Sequence, residues 1–336
     1  MVSGTGKAGK PIRVLAITAA YPTPGSHKGA FLQSEVEGLR DQGIDVTVMH
    51  LQGRMKYVRG AWRAFWATLG GRYDIVHGHY SFCGVDARAQ LRLPTVITFW
   101  GSDVLQNPVL PDTRQGKFSR RISPRLARMA DACIVPSQEM ANALPGARLT
   151  VVEQGVNFNA FRPIAQAEAR RALGLKPDLN HRYILFCANP ALPVKGWSVA
   201  EAAVKLMQSN GASVELIPVT GVSHDLVIHY MNACDVLVLP SFWEGGPYVV
   251  KEAMACNLPI VATNVGDVAV VTGKTLGCFI AERTPEDFAD KLWRSLHGPR
   301  RTTGRQDIAH LSRENATARV IAVYDDVLRR RGRTKK

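Results

Sequence analysis

Residues 233–266 read ACDVLVLPSFWEGGPYVVKEAMACNLPIVATNVG, and this stretch decides the fold. The runs at 236–240 and 259–265 are apolar and rich in β-branched residues, which is typical of strands buried on both faces of a parallel sheet. The segment between them predicts a loop followed by a helix. Strand, loop, helix and strand in this order indicate an α/β fold.

The loop of this stretch has the features of an anion site. Gly245, Gly246 and Pro247 open the helix, since glycines let the backbone approach a ligand closely and proline suits the first helical turn. The free N–H groups of a helix start favour a phosphate. Glu244 and Glu252 flank the loop and can accept hydrogen bonds from hydroxyl groups, so the pattern describes a nucleotide sugar. The alternative is a plain turn with two solvated glutamates.

The run EGGPYVVKEAMACNLPIVATNVGDV, which begins at Glu244, closely resembles the donor-binding signature of family 4 retaining glycosyltransferases of GT-B architecture, of the bacterial surface-polysaccharide type. The resemblance extends over about residues 12–328. It implies two Rossmann-like α/β domains whose parallel sheets face each other across a cleft. It also implies hexosyltransferase-type transfer of a sugar, with retention of anomeric configuration, from a UDP- or GDP-linked donor to a glycan or lipid-linked acceptor.

A chain of 336 residues is long enough for two domains. The apolar runs at 12–18 and 46–51 enclose a helical pattern and predict a βαβ start, in which ligands bind at the carboxyl ends of the strands, near Lys28 and Gly29. The expected divisions are an N-terminal acceptor-side domain over 11–162, a nucleotide-sugar-binding domain over 163–312, a helix over 313–328 that crosses back to the first domain, and a basic tail over 329–336.

The resemblance assigns roles in the second domain. Lys195 matches the phosphate-binding lysine of the family, and a compact cation suits that role. The arginine that usually lies five residues earlier is replaced by Pro190. Glu252 is assigned to the ribose and Glu244 to the transferred sugar. Since the chain has no D-x-D triplet, we expect neither a metal nor another cofactor, and cations of the protein would stabilise the departing diphosphate.

In the first domain, Trp100 stands where the family often has a histidine near the transferred sugar, and with His79 it is assigned to a sugar or acceptor pocket. Asp103 either binds a sugar hydroxyl or caps the next segment. Of His77 and His79, we expect only one to face the site unless both lie past the end of the strand. The residues expected to be catalytic are Lys195, Glu244 and Asp103, and those expected to bind the donor are Gly29, Lys195, Glu244, Gly245, Gly246, Pro247 and Glu252.

The net charge of +14 is unevenly distributed, because residues 54–128 hold 13 Lys or Arg against four Asp or Glu. Within this basic sector, residues 57–69 (YVRGAWRAFWATL) are amphipathic at helical spacing. Such a helix either lies in the headgroup layer of an anionic membrane or packs its aromatic side chains on the sheet. No apolar run approaches the length of a membrane span, and six scattered cysteines lack a C-x-x-C pair. We therefore expect a cytoplasmic protein, peripheral on the inner face of the cell membrane if the first alternative holds.

Two other classes of function remain open at this stage. The departures at Trp100 and Pro190 are compatible with a GT-B nucleotide-sugar epimerase or a donor-binding protein without transfer activity. The sequence pI of about 9.8 raises nucleic-acid binding as a remote alternative. The chain has no zinc-finger spacing and no RNA-recognition signature, so no nucleic-acid partner is expected.

Overall fold

The computed structural model describes residues 10–23, 29–107, 111–178 and 180–333. Lys28 and the end of the basic tail, 334–336, lie outside the described residues. Contacts divide the chain into two units, one formed by Met1–Gly155 together with Arg313–Lys336 and the other by Val156–Ser312.

The first unit alternates strands and helices: β1 Arg13–Thr18, α1 Ala30–Asp41, β2 Asp45–His50, α2 Lys56–Leu69, β3 Ile75–His79, α3 Ser81–Arg88, β4 Thr95–Thr98, α4 Arg114–Met129, β5 Ala132–Val135, α5 Gln138–Asn142 and β6 Leu149–Val151. Its described strands form one parallel sheet in the order β2-β1-β3-β4-β5-β6. Val14 pairs with Val46 on one side and with Ile75 on the other. The inner strands β1, β3, β4 and β5 are buried along almost their whole length because helices shield a parallel sheet on both faces, whereas the edge strand β2 exposes Asp45 and Thr47.

The second unit contains α6 Gln166–Ala172, β7 Arg182–Phe186, α7 Trp197–Ser209, β8 Val214–Pro218, α8 His224–Ala233, β9 Val236–Leu239, α9 Tyr248–Ala255, β10 Ile260–Ala262, α10 Val268–Thr272, β11 Phe279–Ile280, α11 Pro285–His297 and α12 Gly304–Asp307. Its described strands form a parallel sheet in the order β11-β10-β9-β7-β8. The run at 233–266 supplies two adjacent strands of it, β9 and β10, with α9 between them. The predicted α/β class, with two Rossmann-like parallel-sheet domains, is confirmed.

The last helix, α13 (Arg313–Arg333), belongs to the first unit although it follows the second in sequence. Val320, Ile321 and Tyr324 of α13 are buried in one core cluster with Val14 of β1 and Val36 of α1. Apolar side chains on one stripe of a helix account for this attachment, because burying them stabilises the helix against the sheet. The first unit is therefore completed by a segment that follows the second unit in the sequence.

Helix α2 contradicts one of the two interpretations of the aromatic stretch. Trp62, Phe65 and Trp66 are exposed, and the buried residues of the helix are Gly60, Ala64 and Thr68. The interpretation in which the aromatic side chains pack on the sheet is wrong, because the small residues, spaced four apart, form the packed face. Among the described residues, no helix is both long enough and apolar enough to cross a membrane.

Candidate functional site

In the second unit, Lys195 lies on a tight turn at the start of α7. The turn ends at Gly196, whose backbone is left-handed (φ +70°), and a Cβ atom at this position would overlap the carbonyl oxygen of Pro240. The backbone N–H of Phe242 donates to the carbonyl of Val194 at 2.8 Å. Only glycine fits so close an approach at this φ. The turn carrying Lys195 is thus fixed beside the end of β9.

Lys195 forms an ion pair with Glu244. The Nζ of Lys195 lies 2.7 Å from Oε1 of Glu244, and the hydroxyl of Ser241 donates to the same oxygen at 2.8 Å. Thr263, just after β10, donates to the carbonyl of Ser241 at 2.7 Å and holds this loop. The structure therefore brings together two residues that the sequence separates by 48 others, at the carboxyl edge of one sheet.

The glycine loop after Glu244 packs directly on the loop after β10. Gly266 has φ +56°, and a Cβ there would lie 2.9 Å from the nitrogen of Gly246 and 3.0 Å from the carbonyl oxygen of Glu244. Helix α9 begins at Tyr248. Pro247 thus immediately precedes the first helical turn and is not part of it, a one-residue difference from the prediction. Gly245 and Gly246 are half-buried just before the start of this helix, which is where an anion site is expected.

A buried ion pair next to this loop was not predicted from the sequence. Lys251 of α9 is 1% exposed, and its Nζ lies 2.6 Å from Oδ2 of Asp267. The other carboxylate oxygen of Asp267 is shielded and has no hydrogen-bond partner among the described residues. The carboxylate lies 3.5 Å from the position that a Cβ of Gly246 would occupy. A charged residue beside Glu252, on the inward side of an apolar helix, is the signal that could have revealed the pair.

Glu252 is a buried carboxylate of α9, 7% exposed, and it shares an environment with Lys195. Cys187, at the end of β7, reports on both: burial raises the pKa of its thiol to about 12, the charge of Glu252 adds to the increase, and the charge of Lys195 opposes it. Lys195 and Glu244 are therefore in contact, and Lys195 and Glu252 both lie near enough to Cys187 for their charges to act on its thiol.

Pro190, which replaces the expected arginine, lies in a turn in which the backbone N–H of Ala191 bonds the side chain of Asn189 at 3.0 Å. It provides no charge. Arg283, which the sequence analysis did not single out, stacks on the ring of Phe242 at 4.5 Å, next to the turn of Lys195. The unit therefore has a second cation at this edge, supplied by the loop after β11.

In the first unit, Asp103 is fixed by its own loop. Its Oδ1 accepts hydrogen bonds from the backbone N–H groups of Trp100 (3.1 Å) and Gly101 (3.0 Å). The side chain is buried, and burial raises its pKa to about 6. Its Oδ2 has no partner among the described residues. Asp103 therefore fixes the two residues that precede it, and does not cap the described part of the segment that follows, while its binding to a sugar hydroxyl stays a prediction.

His77 and His79 both lie on the same side of β3, with ring centroids 4.2 Å apart. The expectation that only one would face the site is wrong, because residues two apart on a strand share a face. His77 is fully engaged, with Nδ1 2.7 Å from the hydroxyl of Tyr324 and Nε2 2.7 Å from that of Thr98. His79 stacks on Trp100 at 6.1 Å, and its Nδ1 is shielded without a partner in the described chain.

Glu35 of α1 joins these histidines and was not predicted. Burial raises the pKa of its carboxyl group to about 8, so Glu35 keeps its proton at neutral pH, whereas burial lowers the pKa of His77 to about 3. One ligand atom from each of Glu35, His77 and His79 lies within 4.8 Å of the others. A metal ion could use this set only if His77 gave up the bond to Tyr324 or Thr98. The signal for Glu35 was its spacing from Leu32 and Leu39, which puts it on the buried stripe of α1.

Gly29 adopts φ +86° at the start of α1, where a Cβ would overlap the carbonyl oxygen of Ala20. This close packing against the segment after β1 accounts for the glycine without a ligand. The structure thus places Gly29, His79, Trp100 and Asp103 at the carboxyl edge of the first sheet, and the Lys195 set at the carboxyl edge of the second. In each unit this is the edge at which parallel sheets bind ligands.

The chain is similar in sequence to known glycosyltransferases. Residues 188–297 match the family described as glycosyl transferases group 1, and residues 4–155 match a glycosyl transferase 4-like domain. A Bacillus subtilis protein, named as a teichuronic acid biosynthesis glycosyltransferase, is 26% identical over an alignment of 357 residues that covers 85% of this chain and 90% of that protein.

Solved structures share the fold at low identity. The sucrose-phosphate synthase of Thermosynechococcus elongatus superposes with a TM-score of 0.73 and 18% identity, covering 94% of this chain and 99% of the other. HepE of Anabaena, solved in complex with UDP and glucose, gives a TM-score of 0.68 and 16% identity, covering 94% and 100%. These neighbours place the chain in the GT-B fold.

Proposed function

We propose that the chain moves a sugar from a UDP- or GDP-linked donor to a glycan or lipid-linked acceptor, with retention of anomeric configuration, because residues 188–297 match the glycosyl transferases group 1 family and residues 4–155 match a glycosyl transferase 4-like domain. The observation that carries this proposal is the set formed by Lys195, Glu244, Glu252 and the glycine loop at one edge of the second sheet. The nucleotide and sugar held by HepE, a protein of the same fold, support the choice of donor.

Each residue of the set has a role in the proposed reaction. Lys195 leaves Glu244 and stabilises the negative charge that develops on the diphosphate as the bond to the sugar breaks. Glu244 then accepts a hydrogen bond from a sugar hydroxyl, and Glu252 accepts bonds from the ribose. In the first unit, we assign Asp103, His79 and Trp100 to binding of the sugar or the acceptor. The reaction needs no metal, because Lys195 and the backbone N–H groups of the helix start take over the neutralisation of the diphosphate.

We further propose a role in cell-surface polysaccharide biosynthesis, with the protein peripheral on the inner face of the cell membrane. The name of the Bacillus subtilis relative, with 26% identity over most of both chains, supports the first part. The exposed aromatic and basic residues of α2 support the second.

The test begins with a thermal-shift screen over UDP- and GDP-linked sugars. A ligand at about 100 times its dissociation constant adds about 2.7 kcal/mol of stability, which such a screen detects. Nuclear magnetic resonance of the product formed from that donor, in the presence of a chelator, then gives the anomeric configuration. We expect a retained product in chelator.

The possible results separate the parts of the proposal. An inverted product contradicts retention, and activity that disappears with chelator and returns with magnesium contradicts metal independence. Conversion of the donor sugar to its epimer without transfer identifies the epimerase alternative. If none of the nucleotide sugars raises the melting temperature, the donor site itself is wrong.

A further inference from the structure

Helix α2 presents a contiguous apolar patch to solvent, which we call the aromatic stripe: Val58, Trp62, Phe65 and Trp66. Trp62 and Trp66 are 67% and 55% exposed. Trp66 contacts Trp62 and Phe65 edge to face, with ring centroids 5.8 and 5.7 Å apart. Single exposed apolar residues are ordinary, but a contiguous exposed patch marks an interaction surface.

The aromatic stripe is the side of α2 that should be polar in an ordinary surface helix. The buried side consists of Gly60, Ala64 and Thr68. At about 100° per residue, Trp62 projects roughly opposite to Ala64, so the stripe points away from the core of the unit. A helix that is apolar on its outward side needs a second apolar medium or partner on that side.

The flank of the stripe is positively charged. Lys56, Arg59 and Arg63 lie along it, and α2 contains no acidic residue. None of the three forms an ion pair with a described carboxylate. Unpaired cations next to aromatic side chains are the composition of a helix that lies in the interface of an anionic bilayer, where the cations meet phosphates and the rings meet the acyl boundary.

A groove of about 510 Å³ runs beside the stripe, lined by Val58, Arg59, Ala61, Trp62, Phe65 and Ala89. Arg59 is its one charged lining residue, so an anionic head and an apolar chain can be held side by side. We propose that α2 docks on an anionic phospholipid bilayer, and that the groove takes one hydrocarbon chain of a lipid whose phosphate binds Arg59 and Arg63. This deepens the membrane location of the proposed function by naming the surface and its ligand.

An acidic protein surface would pair with the cations and leave the apolar groove open to solvent, and a nucleic-acid duplex would contact the cations through its phosphates and leave the stripe in water. A phospholipid matches both features, because its phosphate and its chains are adjacent in one molecule. The charge of the sector favours the same ligand: residues 54–128 hold 13 basic residues against four acidic ones.

The experiment is flotation of the full chain with vesicles of phosphatidylglycerol and phosphatidylcholine, compared with phosphatidylcholine alone, at low and at physiological salt. We expect binding to anionic vesicles that weakens with salt. One basic residue near such a surface is worth about fivefold in partition, so Arg59→Gln with Arg63→Gln should lower it about 30-fold. Trp62→Ser with Trp66→Ser should lower it at least about tenfold.

Two further variants make the test specific. Trp293→Ser is the matched control, because Trp293 of α11 is 49% exposed but lies in the second unit, and this variant should float like the wild type. Ala89→Leu fills the groove while adding apolar surface. If a lipid chain enters the groove, Ala89→Leu should weaken binding to anionic vesicles. It should also reduce the quenching of Trp62 fluorescence by lipids with brominated chains.

Each result decides a separate claim. Equal flotation of the wild type in all conditions overturns the docking surface and the membrane location, and leaves sugar transfer to its own assay. Flotation that survives the double tryptophan substitution assigns binding to another surface. Tighter binding of Ala89→Leu overturns the groove, and salt-dependent retention on DNA that exceeds retention on vesicles replaces the bilayer with a nucleic acid. Thermal denaturation of each variant confirms that it is folded.

Discussion

From the ion pair between Lys195 and Glu244 we predict that replacing Glu244 changes the affinities for a free nucleotide and for a nucleotide sugar in opposite directions. In the structure the two side chains bind each other at 2.7 Å. In the proposed complex Lys195 contacts the diphosphate and Glu244 contacts the sugar, so the pair must break when the donor binds. Replacing Glu244 should therefore help a ligand that needs only Lys195 and harm one that needs both.

The magnitudes follow from the geometry. A charge-assisted hydrogen bond to phosphate is worth about 1.5–3 kcal/mol, and breaking a partly exposed ion pair costs about 0.2–1 kcal/mol, since the two side chains are 27% and 13% exposed. Lys195→Met should then weaken UDP or GDP by about 1–2 kcal/mol, or about 5- to 30-fold. Glu244→Gln should strengthen the free nucleotide by at most about fivefold, because no competing carboxylate remains.

For the nucleotide sugar, Glu244→Gln removes the charged acceptor of a sugar hydroxyl. The loss of about 1–2 kcal/mol outweighs the gain at Lys195, so binding should weaken. The assay is titration calorimetry with UDP or GDP and with the corresponding nucleotide sugar, on wild type, both single variants and the double variant. Glu215→Gln, an exposed carboxylate of β8 that is 57% exposed, serves as the control and should leave both affinities unchanged.

The reasoning is refuted if Glu244→Gln changes the affinities for nucleotide and nucleotide sugar in the same direction and by the same factor. Unchanged nucleotide affinity in Lys195→Met would remove the lysine from the site. In the double variant we expect the two effects to be non-additive by about 0.5–1 kcal/mol, because residues in direct contact couple. Additive effects would mean that the pair does not form in solution.

Three further predictions concern stability. Burial raises the pKa of Glu35 from 4.5 to about 8, so between these pH values the folded state binds one more proton than the unfolded state. Glu35 therefore lowers the free energy of unfolding by up to about 1.4 kcal/mol per pH unit as the pH rises through this window. Glu35→Gln should remove this slope, which urea unfolding from pH 5 to 8 measures. Gly196→Ala should lower the melting temperature and weaken nucleotide binding, because the new Cβ overlaps the carbonyl oxygen of Pro240. The control Gly174→Ala, at φ +67° with open space around it, should lower the free energy of unfolding by only about 1 kcal/mol. Equal losses in the two variants would contradict a packing role for Gly196. Lys251→Met should destabilise by about 3 kcal/mol by leaving Asp267 unpaired, and adding Asp267→Asn should recover most of it; a single variant as stable as wild type would show that the pair is solvated.

The sequence alone predicted much of the fold, because most of the inner strands are continuous apolar runs. Such runs can be recognised from neighbouring residues in the sequence. The run at 236–240 is β9, and the loop with Gly245 and Gly246 leads into α9 as expected. Local rules suffice here, since a buried parallel strand needs no alternation and a glycine-rich loop marks the start of the next helix. The boundary of α9 differed by one residue, because helix ends are decided by hydrogen bonds that composition does not specify.

The tertiary structure decided which charges meet. Because β9 and β10 are adjacent strands, the loop after β10 packs against the glycine loop that follows β9. This packing brings Asp267 into contact with Lys251. Glu35 becomes a protonated acid because α1 presses it onto the histidines of β3, and this burial depends on packing between distant segments. Neither pairing is visible in local sequence, since the order of strands in a sheet is set by the whole chain.

Helix α2 shows the same division between sequence and structure. Its sequence determined an amphipathic helix but left open whether the aromatic face or the small-residue face would be buried. Packing decided the question, because Gly60, Ala64 and Thr68 let the helix approach its neighbours closely, and a Cβ on Gly60 would lie 2.6 Å from a carboxylate oxygen of Asp86. The larger side chains were left outside for a steric reason that only the assembled unit supplies.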